Sequence, residues 1–207
     1  ISAVAFRVHD AHKTFRRCLE LGAWEGPSHA QAMELHIPAI HGPGGSRFYF
    51  VDRWKEFSIY DIDFVAIPTV DQAPPALEGM GYFGVVQYIG ADRSADWLAY
   101  YEEMFDFQSI PDEQRFGILP KGKLMRSPCG KFLWQVIEPD PWMESDGAAE
   151  SLLRVGLGVP DVPAAVARLK ANGVDFIESA QLHPEDRGAL TRNLLGSVSF
   201  ELVHQAG

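Results

Sequence analysis

Histidines, acids and cysteines are the side chains with which this 207-residue chain could do chemistry. Five of its seven histidines, His9, His12, His29, His36 and His41, fall in the first 41 residues. A neutral imidazole ligates zinc or iron and moves a proton near pH 7. No two of the five stand at the i, i+4 spacing with a neighbouring acid that a helical metal site uses. His36 and Glu34 share one face of an extended stretch and read as surface or half-buried residues rather than ligands. His183 and His204 flank the last alternating segment, and His204, three residues after Glu201, points to the opposite strand face from it. Cys18 lies in a helical pattern and Cys129 in a Pro-Cys-Gly turn, which makes neither a disulfide framework nor a metal cluster.

The elements that would position these groups are best marked between residues 33 and 65, which read as three strands in succession. Met33 to Ile40 alternates until Pro38, and His41-Gly-Pro-Gly-Gly45 supplies turn residues suited to positive φ. Phe48 to Val51 is a short apolar run. Ser58 to Val65 then places Ile59, Asp61, Asp63 and Val65 on one face and Tyr60, Ile62 and Phe64 on the other, a pattern that can line a polar cavity. Upstream, Ile1 to Val8 alternates as a strand, and Asp10 caps a helix through Leu21 that turns Phe15 and Cys18 or Leu19 inward and stops at Gly22. These pieces make one strand, helix and three-strand unit ending near Ala66.

Residues 67 to 80 form a proline-containing linker without periodicity, the best domain boundary in the chain. After it, Phe83 to Ile89 reads as a strand and Arg93 to Phe105 as a helix. The stripe of Trp97, Tyr100, Tyr101, Met104 and Phe105 on that helix is core packing. Strands follow around Phe116 to Leu119, Lys123 to Arg126 and Lys131 to Ile137, with Ser127-Pro-Cys-Gly130 as a turn and residues 138 to 150 as an acidic surface loop. The stretch LLRVGLGVPDVPAAVARLKANGVDF lies over ISAVAFRVHDAHKTFRRCLELGAW with Asp161 on Asp10 and Gly173 on Gly22, an internal repeat of one supersecondary unit. It closes with strands near Ala189 to Arg192 and Ser197 to His204. Three units result, spanning residues 1 to 66 and, as a pair, 81 to 207.

Composition narrows the function classes. With 46% hydrophobic and 22% charged residues the chain has ample core for one or two domains. A net charge of −10, spread rather than blocked, makes nucleic acid and anionic membranes poor partners. No apolar run approaches the roughly 20 residues of a membrane span, and no signal peptide stands at the start, so the expected location is cytoplasmic.

The segments ELHIPAIHGPGG, FYFVDR and SIYDIDF, with VAFRVHDAHKTFRRCLELGA upstream, resemble the end of the N-terminal domain of 4-hydroxyphenylpyruvate dioxygenases, members of the vicinal-oxygen-chelate superfamily. The resemblance is almost continuous over residues 3 to 66 and looser beyond. It implies an α+β, glyoxalase-like fold of repeated βαβββ modules, with curved mixed sheets, helices outside, and sheets paired as a cup around a metal. Three modules are an odd number for such a fold, and an unpaired one leaves a sheet face and edge strands open. An N-terminal module ahead of Ile1 is the preferred explanation, and pairing between subunits is the alternative.

The resemblance also implies a non-haem Fe2+ held by two histidines and a glutamate, with positions open for a 2-oxo acid and O2. Carried over, the first ligand position is Gly84, or Phe83 under a one-residue shift, the second is Arg154, and the third is Glu201. Only the glutamate is kept, and we expect Arg154 and Glu201 to form an ion pair where the metal would sit. The substrate wall departs as well, with Arg126 in place of a small hydroxyl residue, and Gln135 and Ile137 in place of proline and asparagine. The segment from His183 to Gly196 is short for the family's hairpin, and the family's covering C-terminal helix has no counterpart before Gly207.

Two readings follow. One is an iron-dependent aromatic dioxygenase in which another residue, such as Gln87, completes the site. The other is a catalytically silent domain that binds a small carboxylate or other anion through Arg126, Arg154 and Gln135, or serves as a structural half of a larger chain. The dioxygenase-like domain fused behind a dehydroshikimate dehydratase is an example of the second. Either a homo-oligomer or a larger polypeptide would complete the odd module.

Overall fold

The computed structural model describes residues 1–27, 36–58, 60–111, 122–139, 150–177 and 188–204. Two compact units emerge, one of Ser2–Pro74 and one of Pro75–Gly207 together with Ile1.

In the first unit, β1 (Ala3–Arg7) leads into α1 (Ala11–Glu20), followed by β2 (Ala39–His41) and β3 (Arg47–Val51). The helix starts where it does because Asp10 is extended and its carboxylate accepts the Lys13 N–H at 2.8 Å, while Asp52 accepts the Ala11 N–H at 2.9 Å. It stops at Gly22, whose φ of 95° suits glycine. The sheet order is β1-β3-β2, with β3 parallel to β1 and antiparallel to β2. An isolated bridge from Glu25 to Ile40 adds the trace of a further strand. Phe48 and Phe50 of β3, Ile40 and Cys18 are fully buried, and burial pushes the Cys18 thiol up to about 11.

The third strand expected at Ser58–Val65 does not form. Among the described residues of that stretch, Tyr60–Asp63 make a short helix, α2, with the Ser58 hydroxyl accepting the Tyr60 N–H at 3.2 Å and the Tyr60 and Phe64 rings 5.7 Å apart. The alternation misled because period-2 patterning shows only that a segment could pair, and β3, the strand before it, already has a neighbour on each side. The segment closes local i, i+4 contacts instead, with the Phe64 N–H donating to the Tyr60 carbonyl at 3.1 Å.

The second unit contains two strand-helix-strand modules. The first comprises β4 (Gly81–Tyr88), α3 (Ser94–Phe105), β5 (Gln108–Ser109), β6 (Lys123–Arg126) and β7 (Leu133–Ile137). The second comprises β8 (Ser151–Val159), α4 (Val162–Ala171), β9 (Ala189–Leu190) and β10 (Ser199–His204). They do not make two facing sheets: all seven strands join one open sheet in the order β5-β6-β7-β4-β8-β10-β9. Each module closes by pairing its last strand parallel to its first, β7 on β4 and β10 on β8, as β3 does on β1. The two modules meet where β4 runs antiparallel to β8. The short β5 had no signal in the sequence, and Ser197 lies in a turn before β10 rather than in it. The expected strand at Phe116–Leu119 and most of the acidic loop and of the 183–196 segment's start lie outside the described residues.

Both helices pack on one face of this sheet. The Tyr101 hydroxyl donates to Gln87 Oε1 at 2.6 Å, and the Trp134 indole N–H donates to the same oxygen at 3.0 Å, pinning α3 to β4 and β7. Tyr101 and Met104 are buried and the rest of the aromatic stripe is half-buried, so its role is packing. The described ends of the acidic loop are structural: Glu138 accepts the Ser94 N–H at 2.9 Å, and Glu150 accepts the Trp97 indole N–H at 3.0 Å. Under α4, Val159, Val162, Ala165, Phe176, Ala189 and Leu202 form a core cluster. Asp161 caps α4 through the Ala164 N–H at 2.9 Å, repeating Asp10 on α1. No described helix is long and apolar enough to cross a membrane.

Replacing that cap tests the repeat: Asp161→Ala should cost about 1 kcal/mol, read as a lower urea midpoint with an unchanged m value, and Asp10→Ala should cost a similar amount.

Candidate functional site

The positions of interest meet on the sheet face that the helices leave free. Register partners project from the same face. Gly84 pairs with Gly156, Val86 with Arg154, Arg154 with Ser199, and Gly156 with Glu201. Val86 is followed by Gln87, which turns to α3, and Glu201 by Leu202, which joins the cluster under α4. Positions 84, 154 and 201 therefore lie together, and Gln87 lies on the other side of the sheet. Gln87 cannot complete a site there, because strand alternation sends it into the Tyr101 and Trp134 network.

Arg154 and Glu201 form the expected ion pair: Arg154 Nη1 stands 3.1 Å from Glu201 Oε2, and the two residues are 3% and 2% exposed. Arg154 Nη2 also donates to the Tyr88 hydroxyl at 2.7 Å, with the guanidinium carbon 5.8 Å from the Tyr88 ring centre. The sequence reading missed Tyr88. Its signal was available, since Tyr88 follows Val86 by two residues and so shares a face with Arg154's partner. Burial, opposed by the Arg154 charge and hydrogen bond, raises the Glu201 carboxyl above its ordinary value. Arg154 Nε is buried without a hydrogen-bond partner among the described residues.

Two glycines shape the surroundings. A Cβ on Gly84 would collide with the Leu133 carbonyl oxygen on β7. One on Gly156 would collide with the Phe83 ring, which a register shift between Tyr82 and Gly84 carries onto this face, where it packs with Ile110, Leu124 and Leu133. The Phe83 ring thus covers Gly156, the register partner of Glu201.

The proposed wall residues stand farther off. Gln135 of β7 pairs with Val86 and shares the face, half-buried. Arg126 ends β6 opposite Leu133 and is exposed. Three strand steps separate β6 from β8, about 14 Å at the usual spacing, so the sheet does not bring Arg126 to Arg154. Ile137 is buried at the end of β7. In the first unit, His12 and His36 line a cavity of about 250 Å³ with Asp52, Arg53, Phe50 and Phe57. His9 and His41 are exposed, and His29 and Glu34 lie outside the described residues. Among the described residues, no group of three or more His, Cys, Asp or Glu side chains is arranged to hold a metal ion.

Comparisons with known proteins converge on one family. Residues 1–65 match the family described as hydroxyphenylpyruvate dioxygenase, N-terminal. A relative from Vibrio vulnificus, hemolysin VllY, is 30% identical over an alignment that takes in 100% of this chain and 70% of that protein. The chain belongs to the 4-hydroxyphenylpyruvate dioxygenase family of vicinal-oxygen-chelate proteins. The 4-hydroxyphenylpyruvate dioxygenase of Pseudomonas sp. strain P.J. 874 is 41% identical over 113 residues, 53% of this chain and 31% of that enzyme. Among solved structures, a triple mutant of 4-hydroxymandelate synthase from Streptomyces coelicolor superposes with a TM-score of 0.71 at 18% identity, covering 100% of this chain and 70% of the other. The chain thus spans only part of each of these relatives. Within the dioxygenase-like fold, positions 84, 154 and 201 come from the first strand of one module and the first and last strands of the next, which is where β4, β8 and β10 adjoin.

Removing one partner of the pair leaves a buried charge alone, so Arg154→Met should destabilise the second unit by about 3–5 kcal/mol, and adding Glu201→Leu should recover most of it in urea unfolding. The pH dependence has a definite sign. A carboxyl whose folded pKa exceeds its unfolded value binds its proton more tightly when folded. The stability difference between wild type and Glu201→Gln should therefore be fullest near pH 4, fall as pH rises from the ordinary carboxylate value of about 4.5 to the raised folded one, and then stay level.

Proposed function

We propose that this chain is a 4-hydroxyphenylpyruvate dioxygenase-like protein in which two of the three metal-ligand positions have been given up, and that it acts as a binding or structural domain rather than as an iron-dependent oxygenase. The observation that carries the proposal is the buried contact of Arg154 with Glu201 and Tyr88 at those positions. Iron does not fit this donor set. Glu201 is the one carboxylate, Arg154 is a cation that cannot deprotonate to become a ligand, and a side chain at Gly84 would strike the Leu133 carbonyl. The positive charge that a metal would bring to Glu201 is supplied instead by the guanidinium.

A small carboxylate is the ligand class this site would take, through Arg154 Nε, whose N–H has no hydrogen-bond partner among the described residues. The chain's acidic balance supports neither a nucleic-acid nor an anionic-membrane role.

The test is metal content after anaerobic loading with Fe2+ and desalting, alongside oxygen uptake with 4-hydroxyphenylpyruvate. We expect iron well below one per chain and no substrate-dependent oxygen uptake. About one iron per chain, lost in Glu201→Gln, would overturn the reading and restore an active dioxygenase.

A further inference from the structure

The cavity of about 250 Å³ in the first unit is lined wholly by residues of that unit and takes no part in the Arg154 contact. Its position follows from the local fold. α1 begins at Ala11, β2 is entered through Ile37 and Pro38, and β3 ends at Val51, so the head of the helix and one end of the sheet bound a common space. The inner wall is apolar: Ala11, Pro38 and Phe50 are buried, and Ile37, Val51 and Phe57 are half-buried. A wall of this kind offers water no partners and favours an apolar group.

The polar groups at the same cavity carry both signs. Asp52 Oδ2 accepts the Ala11 N–H at 2.9 Å, and the other carboxylate oxygen has no hydrogen-bond partner among the described residues. Of the opposite sign, Arg53 lies across the Phe57 ring with its guanidinium carbon 4.9 Å from the ring centre. Its Nε and Nη2 donate to Glu56 Oε2 at 2.9 and 2.8 Å, which fixes the group and leaves Nη1 without a partner among the described residues. His12 and His36 are exposed at this cavity, and neither ring hydrogen-bonds to a described residue.

These surroundings select against a ligand of one sign. A simple anion would meet the Asp52 carboxylate, and a simple amine would meet Arg53. A molecule with an ammonium and a carboxylate on neighbouring atoms gives each group its complement, and an apolar third substituent suits the inner wall. The volume, below the roughly 300 Å³ at which pockets for drug-sized ligands begin, fits a molecule of that size. We propose that this cavity binds a free α-amino acid with an apolar side chain, its ammonium on Asp52, its carboxylate on the side of Arg53, His12 and His36, and its side chain against Phe50 and Phe57. An imidazole has an N–H to donate whether neutral or charged, so the carboxylate contact does not require protonated histidines. The proposal does not rest on the reading of Arg154 and Glu201.

Isothermal titration calorimetry of the 207-residue chain with L-leucine and L-phenylalanine should show saturable binding of at least one of them. The matching acids without the ammonium, isocaproate and hydrocinnamate, and the matching amines without the carboxylate, isoamylamine and phenethylamine, should each bind at least about tenfold more weakly. Asp52→Asn keeps an acceptor for the Ala11 N–H and loses the charge, so it should weaken binding by about tenfold or more with circular dichroism unchanged. A second variant does not touch the helix cap: His36→Ala changes an exposed side chain and should weaken binding by about threefold or more. No heat from either amino acid at up to about 10 mM, an analogue that binds as tightly as its amino acid, or binding indifferent to Asp52→Asn or to His36→Ala in folded protein would each overturn the proposal.

Discussion

The antiparallel joint between β4 and β8 is the contact on which the second unit depends. It turns two modules, each closed by its own parallel pair, into a seven-stranded sheet, and it sets the first strands of both modules side by side. Because the helices α3 and α4 occupy one face, the opposite face at the joint receives side chains from β4, β8 and β10 together. Any chemistry or binding that needs groups from two modules has to be built there.

What stands at the joint is a buried charge pair. Arg154 and Glu201 are both removed from water, and desolvation of the carboxylate works against the Coulomb attraction, which is why the Glu201 carboxyl is raised despite a guanidinium 3.1 Å away. The pair is held by geometry as much as by charge. Tyr88 takes the second guanidinium nitrogen, Phe83 covers Gly156, and the missing side chain at Gly84 lets β7 approach. Glycine at 84 and 156 is demanded by close approach of a carbonyl and a ring, so neither position could gain a larger side chain without the neighbouring strand moving.

The helix caps, the glycine stops, the internal repeat and the membership of the family were legible in residues alone, because each is a local signal: Asp10 and Asp161 cap within three residues, and Gly22 and Gly173 stop the helices they follow. The ion pair was legible because the resemblance to the family set Arg154 and Glu201 at positions that would share one site. The misreadings were of another kind. The alternation of Ser58–Val65 has the right period but closes a local helical turn instead of a ladder, and Gln87 is one residue out of phase with the face it was expected to share.

By itself, the sequence determined where the helices α1, α3 and α4 and most strands of the modules lie, since period, caps and turn residues act over a few residues. Read through the resemblance, it also put Arg154 and Glu201, which the structure pairs at 3.1 Å, at neighbouring strand positions. Only the tertiary structure decided that both second-unit modules share one sheet, that Tyr88 and Phe83 complete the surroundings of the pair, and that Arg126 stands apart from it. Strand order and register are the physical reason: they join residues tens of positions apart, and nothing in the local pattern of either strand states which edge it will meet.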